Sequence, residues 1–184
     1  ETEKSEPDAT EFDVTKYESK EVNDWDTMKI NGATITVPAT VKDVENLGLI
    51  IDESIYADEV EEDGSSFYLL YNKNDEICGG IGVFNDTDKK RKATECTVYM
   101  ISLQTAAASK DDTGLPGGVH FGDTPEQVLE ALGRPSRVID NSDDDYIEGV
   151  VQFEYYAPDG EQSHSMYFMF YESELMTVYS CIEP

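Results

Sequence analysis

Positive charge is scarce in this chain of 184 residues: 13 Lys and Arg stand against 40 Asp and Glu, for a formal net charge of −27. A protein that holds a phosphate backbone must displace counterions with a positive surface, so nucleic acid and anionic membrane surfaces are poor partners. The shortage is greatest at the C-terminal end. No Lys or Arg follows Arg137, and the last 47 residues carry eleven Asp and Glu, a segment that repels a polyanion outright. Four bases do stand together in Lys89-Lys90-Arg91-Lys92. Short charge clusters of this kind usually mark solvated loops, so the reading is a hairpin tip, with a docking site for an anionic polymer as the alternative.

Long apolar runs are missing too. No window approaches the roughly 18 apolar residues of a membrane-spanning helix, and the N-terminus has neither a basic flank nor an apolar leader stretch. The chain is expected neither to span a membrane nor to carry a signal as given. Cysteine is sparse: Cys78, Cys96 and Cys181 are too few for a disulfide framework and lack the close paired spacing of tetrahedral zinc. Cys78 and Cys96 flank a turn centred near Thr87. Antiparallel pairing about that centre would bring them within reach of a bridge, and two buried free thiols are the alternative.

Catalytic chemistry has little to work with. The two histidines, His120 and His164, have no Ser or Cys in a recognisable setting and read as turn or surface residues. The patterns His-Glu-x-x-His, Gly-x-Ser-x-Gly and Cys-x-x-Cys are absent. Among 40 acids no particular carboxylate pair stands out, so a small carboxylate-dependent hydrolase is kept as the alternative to a non-catalytic protein. No cofactor is indicated. Gly79, Gly80 and Gly82 are followed by neither the lysine nor the helix start of a phosphate-binding loop, and read as a bulge or close packing. The acidic run Asp140-Asn141-Ser142-Asp143-Asp144-Asp145 with Glu148 could gather oxygen ligands for calcium. It lacks the glycine and terminal glutamate of an EF-hand loop and reads first as a solvated turn, so no metal site is assigned.

What the chain does have is aromatic and β-branched mass. Seven Phe, eleven Tyr and one Trp, with aliphatic residues spread over 28–182, are enough for a packed interior. Residues 1–26 hold ten acids and three lysines and read as an acidic flexible tether whose end docks through Trp25. Its opening, Glu1 to Glu6, suits a chain from which an export signal has been removed. The ordered part begins with Met28–Val37, where Asn31-Gly32 can supply the two positive φ angles of a type I′ hairpin turn. Thr40 with Asp43 caps a helix over about 41–47 that Gly48 closes. Strands follow at 66–71, 77–84 and 94–103. Residues 104–118 are small, polar and rich in Gly and Pro, and read as a linker or a long surface loop. Thr124, Pro125 and Gln127 then form the best capping signal in the chain, opening a helix stopped by Gly133 and Pro135. Strands are expected at 137–140, 146–156, 163–171 and 175–182.

These elements predict an α+β fold of two tandem units, 27–103 and 119–184, each a short helix packed on a three- or four-stranded antiparallel sheet. The stretch Gly122-Asp123-Thr124-Pro125-Glu126-Gln127-Val128, leading to Leu132-Gly133-Arg134-Pro135, resembles a motif of small bacterial envelope lipoproteins of the SmpA/OmlA type and, in tandem form, of the β-lactamase-inhibitor-protein family. Phe153–Tyr156, Met166–Phe170 and Leu175–Val178 stand where that family has its aromatic strand and last hairpin. The resemblance covers residues 119–182 well and 28–103 in outline. It implies helices on one side of an antiparallel sheet, an exported location at the cell envelope with a lipid anchor upstream of residue 1, and binding of a protein or envelope partner rather than catalysis. Inhibition of β-lactamase does not carry over.

Strand alternation supplies the candidate site. It puts Phe153 and Tyr155 on one face with Tyr156 on the other, and separates Met166, Phe168 and Phe170 from Tyr167, Met169 and Tyr171. One face can pack on the helix. The other would present Tyr156, Tyr167, Tyr171 and Tyr179, amphipathic side chains suited to an interface, unless a second core layer covers them.

Overall fold

The computed structural model describes residues 13–22, 24–109, 112–140, 150–157 and 164–183. Local signals build its first elements. Asn31 and Gly32 take φ of 50° and 83°, the two positive angles that turn strand β1 (Met28–Ile30) into β2 (Ala33–Ile35). Helix α1 (Val41–Glu45) opens on a reciprocal cap: the Asp43 N–H donates to Thr40 Oγ1 at 3.2 Å, and the Thr40 N–H donates to Asp43 Oδ2 at 2.8 Å. Gly48 follows at φ 73°. Helix α2 (Pro125–Leu132) repeats the device with Thr124 and Gln127, and Gly133 ends it at φ 79°.

The strands are β3 (Ile50–Ile51), β4 (Glu59–Val60), β5 (Ser65–Tyr71), β6 (Ile77–Phe84), β7 (Arg91–Lys92), β8 (Thr97–Gln104), β9 (Thr113–Gly114), β10 (Arg137–Asp140), β11 (Val150–Tyr156), β12 (His164–Tyr171) and β13 (Glu174–Ile182). Eight of them form one antiparallel sheet in the order β3-β5-β6-β8-β13-β12-β11-β10. Two hairpin-connected runs thus meet where β8 pairs with β13, Leu103 facing Val178 and Ser102 facing Tyr179. The remaining strands form a three-stranded sheet, β2-β1-β9, and the pair β4-β7. The fold is α+β and mostly sheet.

Burial alternates along β5, while the central strands β6 and β8 are buried in longer runs and large apolar side chains gather on one face. Leu70, Ile81, Ile101, Phe153, Phe168 and Val178 all point to one face and are at most 1% exposed. They share a single core with Val44 and Leu47 beside α1 and with Val128 and Leu129 of α2. Phe153 and Phe170 tilt against each other with ring centres 4.9 Å apart, and the Tyr155 hydroxyl donates to the Gly133 carbonyl at 3.0 Å, tying the sheet to the end of α2.

Several sequence expectations are corrected. Residues 104–118 are not a free linker: Gln104 ends β8, β9 pairs with β1, and Ala107, Leu115 and Pro116 are buried. The acidic segment is not a tether throughout. Ser19 bridges to Gly133, the Arg134 N–H donates to the Glu18 carbonyl at 3.0 Å, and Trp25 packs on His164 with ring centres 4.9 Å apart. Residues 1–12 lie outside the described residues, as do most of the acidic run after Asp140 and the turn residues 158–160. Cys78 and Cys96 are buried free thiols. Val83 faces Val98 and Gly79 faces Leu103, so the two cysteines sit at opposite ends of β8, about 20 Å apart at the usual rise per residue.

Phe168→Ala should lower the unfolding free energy by about 3–5 kcal/mol in urea denaturation, and Thr124→Ala by about 1 kcal/mol. Burial pushes the Cys78 thiol from its ordinary 9.0 up to about 11, and burial raises the Tyr155 hydroxyl in the same direction. The fold therefore holds these protons more tightly than the unfolded chain does. Their contribution is fully present below pH 9.0 and is lost as pH rises through 11. Urea midpoints measured across that window should fall, and the fall should be smaller in Cys78→Ala.

Candidate functional site

The second face of the eight-stranded sheet carries few charges. The registers align two neighbouring rows of side chains across it. One runs Glu154, Tyr167, Tyr179, Ser102, Gly80, Leu69, and the other runs Tyr156, Ser165, Cys181, Met100, Gly82, Phe67. Met169 and Tyr171 continue β12 on the same side, opposite Gln152 and Val150. The four tyrosines singled out in the sequence, Tyr156, Tyr167, Tyr171 and Tyr179, therefore stand on one face. Tyr171 is 48% exposed and the other three are half-buried by one another and their neighbours.

The face extends well beyond these four. Phe67 is 53% exposed, and at the far edge Ile50, Tyr71 and Ile77 are aligned by register, with Ile50 and Ile77 each 51% exposed. Met176, the extra residue of a bulge in β13, joins them at 36%. Among the described residues the one strongly exposed large apolar side chain that stands elsewhere is Tyr56, with its hydroxyl donating to Glu45. The strands at 66–71 and 77–84 were expected from the sequence, but not that they share a sheet with the C-terminal ones.

The glycines of β6 shape this surface. A Cβ on Gly80 would lie 2.1 Å from Phe67 Cζ, and one on Gly82 would lie 2.7 Å from Tyr99 Cε1. Both aromatic rings therefore occupy the space above bare backbone, where any larger residue would displace them. Gly79 serves a different end. At φ 150° it brings its backbone so close to β8 that a Cβ would sit 2.0 Å from the Ser102 carbonyl oxygen.

Polar atoms on the face are paired among themselves. Glu154, 4% exposed, accepts from the Tyr156 hydroxyl and from Gln152 Nε2, each at 2.9 Å, and lies 3.8 Å from Arg137 Nη1. Ser165 Oγ donates to the Tyr167 hydroxyl at 2.9 Å and lies 3.2 Å from Cys181 Sγ. The Glu154 carboxylate holds the Tyr156 hydroxyl above its ordinary value because it accepts that proton in a hydrogen bond. Burial does the same for Tyr167, with the nearby Cys181 and Glu154 adding to it. Apart from Glu174 at a hairpin tip, Arg137 and Glu154 are the charged residues of this face.

Other sequence candidates fall away from it. Lys90 pairs with Glu61 at 2.8 Å and Glu59 at 3.6 Å, and Arg91 approaches Glu95 and Asp86, so two of the four bases of the cluster meet acids of the chain. The His120 N–H donates to Asp123 at 2.7 Å in the turn before α2. Two cavities, of about 470 and 230 Å³, are each lined by a single carboxylate, Glu21 and Asp112 respectively. Among the described residues no three Asp, Glu, His or Cys side chains cluster as a metal site would require, and no helix is long and apolar enough to cross a membrane.

Glu154→Gln removes the acceptor that raises Tyr156, so the pKa of Tyr156 should move down toward its ordinary value. NMR titration of ring-labelled tyrosine should show this with little change at Tyr68, whose hydroxyl bonds to Asp58 instead. No family model, curated protein or solved structure matches the chain.

Proposed function

We propose that this chain is a non-catalytic binding module of the cell envelope, and that it recognises a protein partner through the open sheet face. One observation carries the reading: a chain with a net charge of −27 keeps a wide, partly exposed sheet surface almost free of charge and fills it with Tyr, Phe, Met and Ile. Interface centres are depleted in charge and enriched in aromatic residues and Met, and contiguous exposed apolar patches on soluble domains mark interaction sites. Tyrosine adds contact area and a hydrogen bond for the loss of few rotatable bonds. The partner best suited to such a surface is apolar at its centre and basic at its rim, where the acidic surroundings of the sheet attract it.

The sheet order supports reading the architecture as two units, each a capped helix followed by an antiparallel meander, joined through their last strands β8 and β13. The stretch Gly122–Pro135, with its envelope-lipoprotein likeness, supports export and tethering upstream. For a carboxylate-dependent hydrolase, the alternative from sequence, a pair of acids would have to face one cavity, and the two cavities described above are lined by one carboxylate each.

Phe67→Ser and Tyr171→Ser, made singly in the purified chain and used as bait in envelope extract, should reduce retention of a captured partner at least about tenfold, as truncation of an interface anchor does. Tyr56→Ser, equally exposed but off the face, should leave retention unchanged. Identical retention by all four proteins would remove the open face as the binding surface.

A further inference from the structure

The larger cavity, of about 470 Å³, lies between Ser19, Lys20, Glu21, Val22 and Trp25 on one side and the end of α2 with the neighbouring edge of the sheet on the other. Its volume is that of a small-molecule site. The wall formed by the N-terminal segment is built in. Gly133 takes φ 79°, and a Cβ there would lie 2.4 Å from the Glu18 carbonyl oxygen and 2.8 Å from the Lys20 nitrogen. Ser19 bridges to Gly133, the Arg134 N–H bonds to Glu18, and Lys20 Nζ donates to the Glu130 carbonyl near the end of α2.

The lining inverts the charge balance of the chain. Lys20 and Arg134 are present against the single acid Glu21, where the whole sequence has 13 bases to 40 acids. Lys20 is held at the helix end, and among the described residues the Arg134 guanidinium has no acidic partner. Between them the floor is apolar and aromatic, made by Val22, Trp25, Leu132, Tyr155 and Phe168. The Tyr155 hydroxyl is already committed to Gly133, so its ring serves as wall rather than as donor.

We propose that this cavity binds a small organic anion with an apolar body, a carboxylate of medium chain length, with its head on Arg134 and Lys20 and its tail against Trp25, Leu132 and Phe168. The site is distinct from the open sheet face, with Tyr156 alone shared between them. The guanidinium matches a carboxylate in a two-point hydrogen-bonded pair. Elsewhere on so acidic a surface an anion is repelled, so capture here is local.

Trp25 is the sole tryptophan of the chain and lines the cavity, which makes its fluorescence a direct reporter. Titration of the full chain with decanoate should give a saturable change in Trp25 emission, with decanol and decyltrimethylammonium binding at least about tenfold more weakly. Arg134→Gln should weaken decanoate about tenfold with little effect on decanol, and Lys73→Gln, remote from the cavity, should change neither. Calorimetry repeats the comparison without relying on tryptophan. Absence of saturation, equal binding of the three amphiphiles, or an unchanged affinity in Arg134→Gln would each overturn the proposal. The wild-type comparison decides the matter even if the variant does not fold.

Discussion

One-sided cover of an eight-stranded sheet is the constraint on which the rest of this structure depends. A strand presents alternate side chains to opposite faces, so packing both helices and the lesser strands into one core buries every second residue. That is where Leu70, Ile81, Phe153 and Phe168 go. The remaining side chains are then committed to the opposite surface whatever their polarity. The residues that occupy it, tyrosines, Phe67, Met169 and two bare glycines, are poor choices for a purely solvated face, and their self-pairing around Glu154 and Ser165 keeps its centre nearly neutral.

The join between β8 and β13 makes this surface wide. Had the two hairpin-connected runs remained separate, each would have left an edge of unpaired backbone groups, which is a liability in solution. Pairing the last strand of one run with the last strand of the other removes both inner edges and aligns rows of side chains from Glu154 across to Leu69. On its other side β8 pairs with β6, and there Gly79 must be glycine: its backbone approaches β8 more closely than any Cβ would permit.

The strap formed by residues 18–22 with Trp25 follows a related logic at the other side of the sheet. It is acidic overall, yet the contacts that hold it are backbone hydrogen bonds to Gly133 and Arg134, a lysine at a helix end and an aromatic contact to His164. None of these depends on net charge, which is how a segment that reads as a solvated tether becomes a wall of a cavity. Lys20 of the strap is held by a helix-end carbonyl rather than by an acid, and the Arg134 guanidinium beside it has no acidic partner among the described residues.

Local chemistry was legible from sequence wherever its partners lie within a few residues. The Asn31-Gly32 turn, the capping boxes at Thr40 and Thr124, the glycine stop at Gly133 and the alternation that groups Tyr156, Tyr167, Tyr171 and Tyr179 all depend on contacts or spacings inside one segment, where covalent connection sets the geometry. The Cys78–Cys96 bridge failed because it depended on where a hairpin closes, and the loop between β6 and β8 is longer than a turn at Thr87 would make it. Residues 104–118 looked like a linker because composition does not reveal that Leu115 and Ala107 have a core to enter. Phe67 and Ile50 were missed as parts of the candidate site for the same reason. Charge, the capped helices and the two-faced C-terminal strands follow from the order of residues alone; which strands lie side by side and which face is covered come from long-range burial that no local pattern encodes.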